Sequence, residues 1–442
     1  MEQTSTKEMS KTLSILISCH EISPYLGSEC TSGWNVITRL AKYNKIILLY
    51  AKSNQFETNS YKEHIKQYQK ENGIIENIEF VDIEMPSIGK KIIKVNKFLS
   101  NKKSSVGLSF LYFAAYKIWE FKVYKVAKNI CSNREIDLVH HFNHISFREP
   151  GYLWKLNKPF FLGPISGLSN VPLSFLYRMS FFQMCFNIAR NTTNYLQFYL
   201  SPRISKAMRK ASMVYFVTSE DYLFLKVRKS DSGLKNLLDI GADLHSNIEK
   251  SNEVLKPLTI LWVGRLSNLK ALNLLIDAID GSELLRNGIT VKVIGDGPLA
   301  NQYKDQATKC KITNIEWLGL LNKTDVFEIM KQSDILVHTS IKEAASAVIL
   351  ESLSAGLPVF CHDAFGMSFA INNECGRKIP LISPERSVLC FRNELEKIVI
   401  EPQILLDLKK GAFQRASELS WDSIAKTISN DYSEISKIKK SN

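Results

Sequence analysis

In WVGRLSNLKALNLLIDA, residues 262–278, an apolar run ends at Gly264, and Arg265 and Lys270 then bracket a turn that leads into a helical pattern. A guanidinium fork and a flexible ammonium at the end of a strand suit a diphosphate. Downstream, VIGDGPLANQ (293–302) reads as a strand, a turn and a helix. Gly295 and Gly297 permit close backbone approach there, and Pro298 suits a helix start. The spacing is not GxGxxG, so the stretch is no dinucleotide fingerprint.

A third stretch, KEAASAVILESLSAGLPV (342–359), sets Glu343 and Glu351 eight positions apart. On an ideal helix that spacing turns the second side chain about 80° from the first, so mutual pairing does not explain them. DILVHTS (334–340) reads as a strand, which puts Glu343 in the loop at its carboxyl end. A helix opening at Ala345 or Ser346 offers free N–H groups and the positive end of its dipole to phosphate. Glu351, on the second turn, can accept hydrogen bonds from the adjacent hydroxyls of a ribose. Gly356 is a natural residue just past the helix end, and Pro358 prevents continuation.

These residues need strands to aim them. Short apolar runs (13–18, 45–51, 136–142, 158–164, 211–219) alternate with helical stretches in the first half. The alternation restarts after a polar, poorly periodic stretch at 240–257, with strands in LTILWVG, TVKVIG, NIEWLG, DILVHTS and LPVFCHD. Such alternation implies parallel, doubly wound sheets, whose ligands bind beyond the carboxyl ends of the strands. The expected organisation is residues 1–240, residues 241–420 and a closing helix at 421–442 after Ser420 as N-cap. In the first half the loop with Gly27, Ser28 and Glu29 is expected at the cleft, together with one of the strand-end histidines. His140 and His141 point to opposite faces, so at least one of them is structural. Arg148 and Glu149, side by side before Pro150, are either cleft residues or a mutual ion pair.

At 442 residues, two domains of about 200 residues are the default. An apolar content of 45% with 23% charged residues excludes a disordered chain. Eight cysteines without CxxC or Cys/His spacing fit a reducing compartment and exclude a zinc site. The first apolar run is too short for a signal peptide, and no uncharged run reaches the roughly 18 residues of a membrane span. The expectation is a cytoplasmic protein.

The net charge of +13 is uneven. Residues 90–128 hold ten lysines against Glu120 alone, and residues 172–210 hold four arginines and two lysines without an acid. Both segments are rich in aromatic residues, a combination that suits an anionic membrane surface. No recognition motif accompanies the charge, so nucleic acid is not an expected partner.

In their order along the chain, GR-x4-K after a strand, GDGP, and E-x7-E before G-x-P resemble the retaining glycosyltransferases of family 4, which have the GT-B fold. The stretch DLVHHFNHISFREPGYLWKLNKPFFLGPISG (137–167) resembles the members that build bacterial surface polysaccharides such as O-antigen, capsule or exopolysaccharide. The resemblance implies an α/β protein with two Rossmann-like domains facing across a cleft, and a closing helix that crosses back to the first. It implies that Arg265 and Lys270 neutralise the diphosphate of a nucleotide-sugar donor. Glu351 would hold the ribose and Glu343 would face the sugar. Gly264, Gly295, Gly297, Ala345 and Ser346 would line the donor site, Gly27 and Glu29 the opposite wall. His140 would match the family's strand-end histidine, with Phe142 where some members carry a second one. The donor is a substrate, and no cofactor or metal is implied, since no Asp-x-Asp motif stands at a strand end. The acceptor would be a glycan or a polyprenyl-linked glycan, met on the inner face of the cytoplasmic membrane. A nucleotide-sugar epimerase or hydrolase, and a non-catalytic scaffold of a polysaccharide complex, are the alternatives. Two departures stand out: Ala271 follows Lys270 where glycine is usual, and Ala-Ala-Ser follows Glu343 where a Gly-Phe-Gly-like turn is common.

Overall fold

The computed structural model describes residues 12–27, 29–100, 107–142, 144–245 and 257–441. The chain builds two all-parallel sheets. The first holds β1 (Ser14–Cys19), β2 (Lys45–Ala51), β3 (Ile78–Ile83), β4 (Leu138–Phe142), β5 (Phe160–Ile165), β6 (Met213–Phe216) and β7 (Leu234–Asn236), in the order β3-β2-β1-β4-β5-β6-β7. The second holds β8 (Leu258–Val263), β9 (Ile289–Ile294), β10 (Ile315–Gly319), β11 (Ile335–His338), β12 (Val359–His362) and β13 (Gly376–Ile379), in the order β10-β9-β8-β11-β12-β13. Both are Rossmann-like. Strands buried on both faces, such as β4 and β5, are the near-continuous apolar runs expected of parallel sheets.

Three strands escape the sequence pattern: β3, β7 and β13, all at sheet edges. Edge strands are covered on one side only and tolerate charge, as IEFVDI, LKN and GRKI show.

The bodies are joined by more than the linker. Val171, Phe175 and Leu176 of the first half pack with Ala271, Leu274 and Ile341 of the second. Arg178 reaches Asp277 at 2.8 Å, and the Phe365 N–H donates to Glu220 at 3.1 Å. The closing helix Trp421–Ser441 lies against the helix Glu29–Leu40, and its Trp421, Ile424, Ala425, Ile428 and Tyr432 complete the first core.

Both basic segments are largely helical. Ser87–Leu99 and Ser109–Asn133 pack together as a pair, leaving Phe98, Leu99 and Phe110 exposed; Lys102 and Lys103 lie outside the described residues. The helix Phe181–Leu200 is amphipathic in the unusual sense, with polar Asn187 and Asn194 buried and Phe181, Phe182 and Phe186 outward.

Candidate active site

The centre of the site is an ion pair. Lys270 leaves the loop after β8 and its ammonium holds the carboxylate of Glu343, which stands in the loop after β11. Because β8 and β11 are neighbours, two residues 73 positions apart meet at one edge. Behind them His338 ends β11, with Nε2 3.7 Å from Glu343, too far for a hydrogen bond. Burial works to raise the Glu343 carboxyl, but His338 and the Lys270 charge outweigh it and hold the pKa at about 2. Glu343 is therefore an anion at every working pH. Burial pushes the pKa of His338 below its ordinary value, against the opposing pull of Glu343.

Arg265 is exposed one residue past Gly264, with its side chain free to meet a ligand. The glycines of the neighbouring turn serve the backbone first. A Cβ on Gly295 would stand 2.0 Å from the Gly264 carbonyl oxygen, and one on Gly297 would stand 2.4 Å from that of Leu266. The two loops are thereby locked, with Leu266 N–H on Asp296 O at 3.0 Å. Ala271 adopts φ 49° and ψ 47°, the left-handed conformation that glycine favours. Holding alanine in that conformation costs about 1–2 kcal/mol.

The helix Ala347–Ser354 has Ser346 as its first flanking residue and no side-chain cap. Gly356 follows with φ 73°, and the Leu357 N–H closes onto Ser352 O at 2.9 Å. The Ala345 N–H, read from sequence as a phosphate donor, is met by the carboxylate of Asp239. Burial first, and Glu29 besides, push that carboxyl up to about 7 despite the N–H. Glu351 faces a cavity of about 530 Å³ between the two domains, which Gly27 and Thr31 line from the other wall. Lys323 stands 3.5 Å from Glu351, and the His245 ring lies 4.4 Å from that of Phe327 at its side.

On the first domain the strand-end histidines do not reach the cleft. His140 is fully buried, with Nε2 2.8 Å from Gly163 O and Nδ1 2.5 Å from the Tyr432 hydroxyl. A carbonyl only accepts, so Nε2 carries the proton and Tyr432 donates to Nδ1. Burial drives this ring down to about 3. His140 is a core residue, a correction to the catalytic role expected of it. His141 is buried on the opposite face, 3.8 Å from Glu120.

His144 comes nearer to that position. It stands 3.8 Å from Glu29 at the start of its helix and packs its ring on Tyr116. Burial works to lower its pKa, but Glu29 outweighs this and raises it. Beside them, burial and Glu29 push Glu21 up to about 7. Ser28 and Asn143 lie outside the described residues. Arg148 and Glu149 do not pair with each other. Glu149 binds Arg203 at 2.5 Å and Lys117 at 3.4 Å, while Arg148 donates to Asn194 and Gln197.

The structure therefore brings together Lys270, Glu343 and the loop before Ser346, and separately Glu351 and Gly27. It leaves His140 apart from both. Asp239, His144 and His338 were not singled out from sequence. For His338 the signal was its place as the last residue of a strand run, while Asp239 lay hidden at the border of the polar linker.

Residues 245–404 match the family model described as glycosyl transferases group 1. The D-inositol 3-phosphate glycosyltransferase of Gordonia bronchialis is 26% identical over 185 residues, 39% of this chain and 40% of that one. The lipopolysaccharide glucosyltransferase WaaG of Escherichia coli is 32% identical over 124 residues, 27% of this chain and 32% of that one. The chain spans 40–44% of the length of the first curated relatives it matches. Among solved structures, Anabaena HepE in complex with UDP superposes with a TM-score of 0.59 at 15% identity, covering 96% of this chain and all of that one. Sucrose-phosphate synthase of Thermosynechococcus elongatus gives 0.59 at 13% identity, covering 96% and 99%. The chain thus has the two-domain GT-B fold, with a group 1 glycosyl transferase region over residues 245–404.

Proposed function

We propose that the protein moves a sugar, with retention, from a nucleotide-sugar donor to a hydroxyl of a lipid-linked glycan during bacterial surface polysaccharide synthesis. The observation that carries this reading is the Lys270–Glu343 pair at the ends of adjacent strands, with Arg265 exposed beside it. As the glycosidic bond breaks, charge grows on the departing nucleoside diphosphate. Arg265, Lys270 and the start of the helix Ala347–Ser354 are the groups that would meet it, and preplaced charge of this kind is often the largest catalytic term. The cavity beside Glu351 is of a size for a nucleoside, and in this reading the carboxylate would hold the ribose. By the resemblance to family 4, the donor phosphate itself would take the acceptor proton. The reading requires no divalent metal.

HepE was solved with UDP and with UDP-glucose, and WaaG and the galactosyltransferase WaaB, which share the fold, are named for lipopolysaccharide synthesis. The membrane side of the reading rests on the outward rings of this helix: Phe181 is 77% and Phe182 79% exposed. No described helix is long and apolar enough to cross a bilayer. Attachment at the cytoplasmic face would be peripheral.

The test is incubation with a panel of nucleotide sugars, with and without polyprenyl-linked glycans, in excess chelator. Acceptor-dependent transfer with the donor's anomeric configuration, read by NMR, is expected. Donor consumption without acceptor would replace this reading by an epimerase or hydrolase.

A further inference from the structure

The turn that carries Lys270 and the loop that carries Glu343 are tied into one unit. The Ile341 N–H donates to Leu269 O at 2.9 Å, and the Thr339 hydroxyl donates to Lys270 O at 2.8 Å. Trp262 Nε1 donates to the Thr339 oxygen at 3.0 Å, which fixes that hydroxyl in turn. A shift of either loop therefore moves both members of the ion pair.

The first domain backs this unit with residues 171–183, the chain after β5 and the first turn of the helix Phe181–Leu200. Val171, Phe175 and Leu176 pack on Ala271 and Leu274, just past Lys270, and on Ile341, two residues before Glu343. Polar bonds pin the segment along its length. The Ser174 hydroxyl donates to Ile382 O at 2.5 Å, the Tyr177 hydroxyl to Glu385, and Asn268 of the Lys270 turn to Gln183. Arg178 joins two helices of the second domain, donating to Asp277 at 2.8 Å and to Glu385 at 3.4 Å. Asp277 belongs to the helix Leu272–Asp280, which opens two residues after Lys270. It also accepts from Gln306 at 2.6 Å, so the half-buried bridge is part of a network and not a lone surface pair. Apolar packing does not fill this contact. A cavity of about 230 Å³ opens along it, lined by Phe175, Arg178, Ala271, Leu274 and Asp277 among others. The guanidinium thus carries a larger share of the docking than a filled interface would leave to it.

We infer that Arg178 is a positioning residue: by docking residues 171–183 of the first domain on the Lys270 turn, it holds the Lys270–Glu343 pair in its reactive geometry. The first domain then does more than supply one wall of a cleft, because it decides whether the charged groups of the second stand in place. The inference rests on the transfer reaction proposed above for the use made of that geometry. The docking itself is independent of it.

Hydrogen exchange read by mass spectrometry on the ligand-free full chain tests the docking without reference to any reaction. Arg178→Gln should speed exchange by about tenfold in residues 266–271 and 339–345 and leave β2 at the wild-type rate. Steady-state transfer tests its use. In Arg178→Gln kcat should fall by about tenfold with the donor KM held within about threefold, because misplacement of reacting groups costs rate before binding. Arg178→Lys, which keeps a charge between Asp277 and Glu385, should recover most of the loss. Glu343 faces Lys270 and His338, with Asp239 further off. Loosening Lys270 lets that carboxyl rise from about 2, so an acidic limb should enter the pH–kcat profile of Arg178→Gln. A merely structural arginine would lower Tm and the active fraction and leave that profile unchanged. Wild-type exchange in both loops, or a kcat loss that only follows the folded fraction, overturns the inference. Faster exchange in both loops, together with a wild type that transfers no sugar, would strike only the transfer reaction.

Discussion

His140 of β4 and Tyr432 of the closing helix share a hydrogen bond of 2.5 Å inside the first domain, although 292 positions separate them. Tyr432→Phe should leave Nδ1 without its donor and cost about 1–3 kcal/mol of stability, with nucleoside diphosphate affinity unchanged. The pH dependence follows from the depressed ring. The folded pKa of about 3 lies below the unfolded 6.5, so the unfolded chain takes up the proton first as pH falls. The stability advantage of wild type over His140→Asn should therefore shrink below pH 6.5, by up to about 1.4 kcal/mol per pH unit. Urea denaturation at pH 7 and pH 5 measures both, and a constant gap would mean the ring titrates in the fold as it does in the unfolded chain.

Arg265→Ala and Lys270→Ala should each lower kcat by roughly 10²–10³-fold. Their routes differ. Arg265 makes its contribution only to the ligand, whereas loss of Lys270 also strips Glu343 of its partner and lets that carboxyl rise from about 2. An acidic limb should enter the pH–kcat profile of Lys270→Ala and stay absent from that of Arg265→Ala.

The two glutamates should separate. Glu351→Gln is expected to weaken nucleoside diphosphate binding, because Glu351 lines the inter-domain cavity. Glu343→Gln should spare that affinity and damage turnover. Calorimetry showing the reverse pattern would relocate the donor.

Ala271→Gly should stabilise the second domain by about 0.5–1 kcal/mol in equilibrium denaturation, because the native φ of 49° suits glycine. A loss of stability would mean that the buried methyl group outweighs the backbone term.

At low salt the protein should sediment with anionic vesicles and not with neutral ones. Each basic residue near the leaflet is worth about 1 kcal/mol and is screened beyond about 8 Å at physiological salt. Lys90 is already paired with Glu84 at 2.6 Å, so reversal at Lys91, Lys94 and Lys97 is the sharper test. Phe181→Ser with Phe182→Ser should weaken binding at high and low salt alike. Equal sedimentation with neutral and anionic vesicles would reduce these faces to solvated surface.

The central strands and the strand-end position of Lys270 and Glu343 were legible in the sequence because both follow from local pattern. An apolar run that ends in a polar turn fixes where the next side chains stand. His140 misled for a related reason: alternation assigns faces, yet both faces of a central parallel strand are covered, one here by the closing helix. The adjacency of Arg148 and Glu149 suggested a pair, but partners far along the chain, Arg203 and Asn194, won each of them.

The closing helix also ties the chain into a loop. Near the linker the Ala242 N–H donates to Leu419 O at 2.9 Å, so the outgoing and returning strands run through one neck side by side. It also sets where the protein can be cut. A fragment that stops before Trp421 takes Tyr432 from His140 and Asp431 from Tyr215 and Lys235, so the first body is whole only when the last helix travels with it.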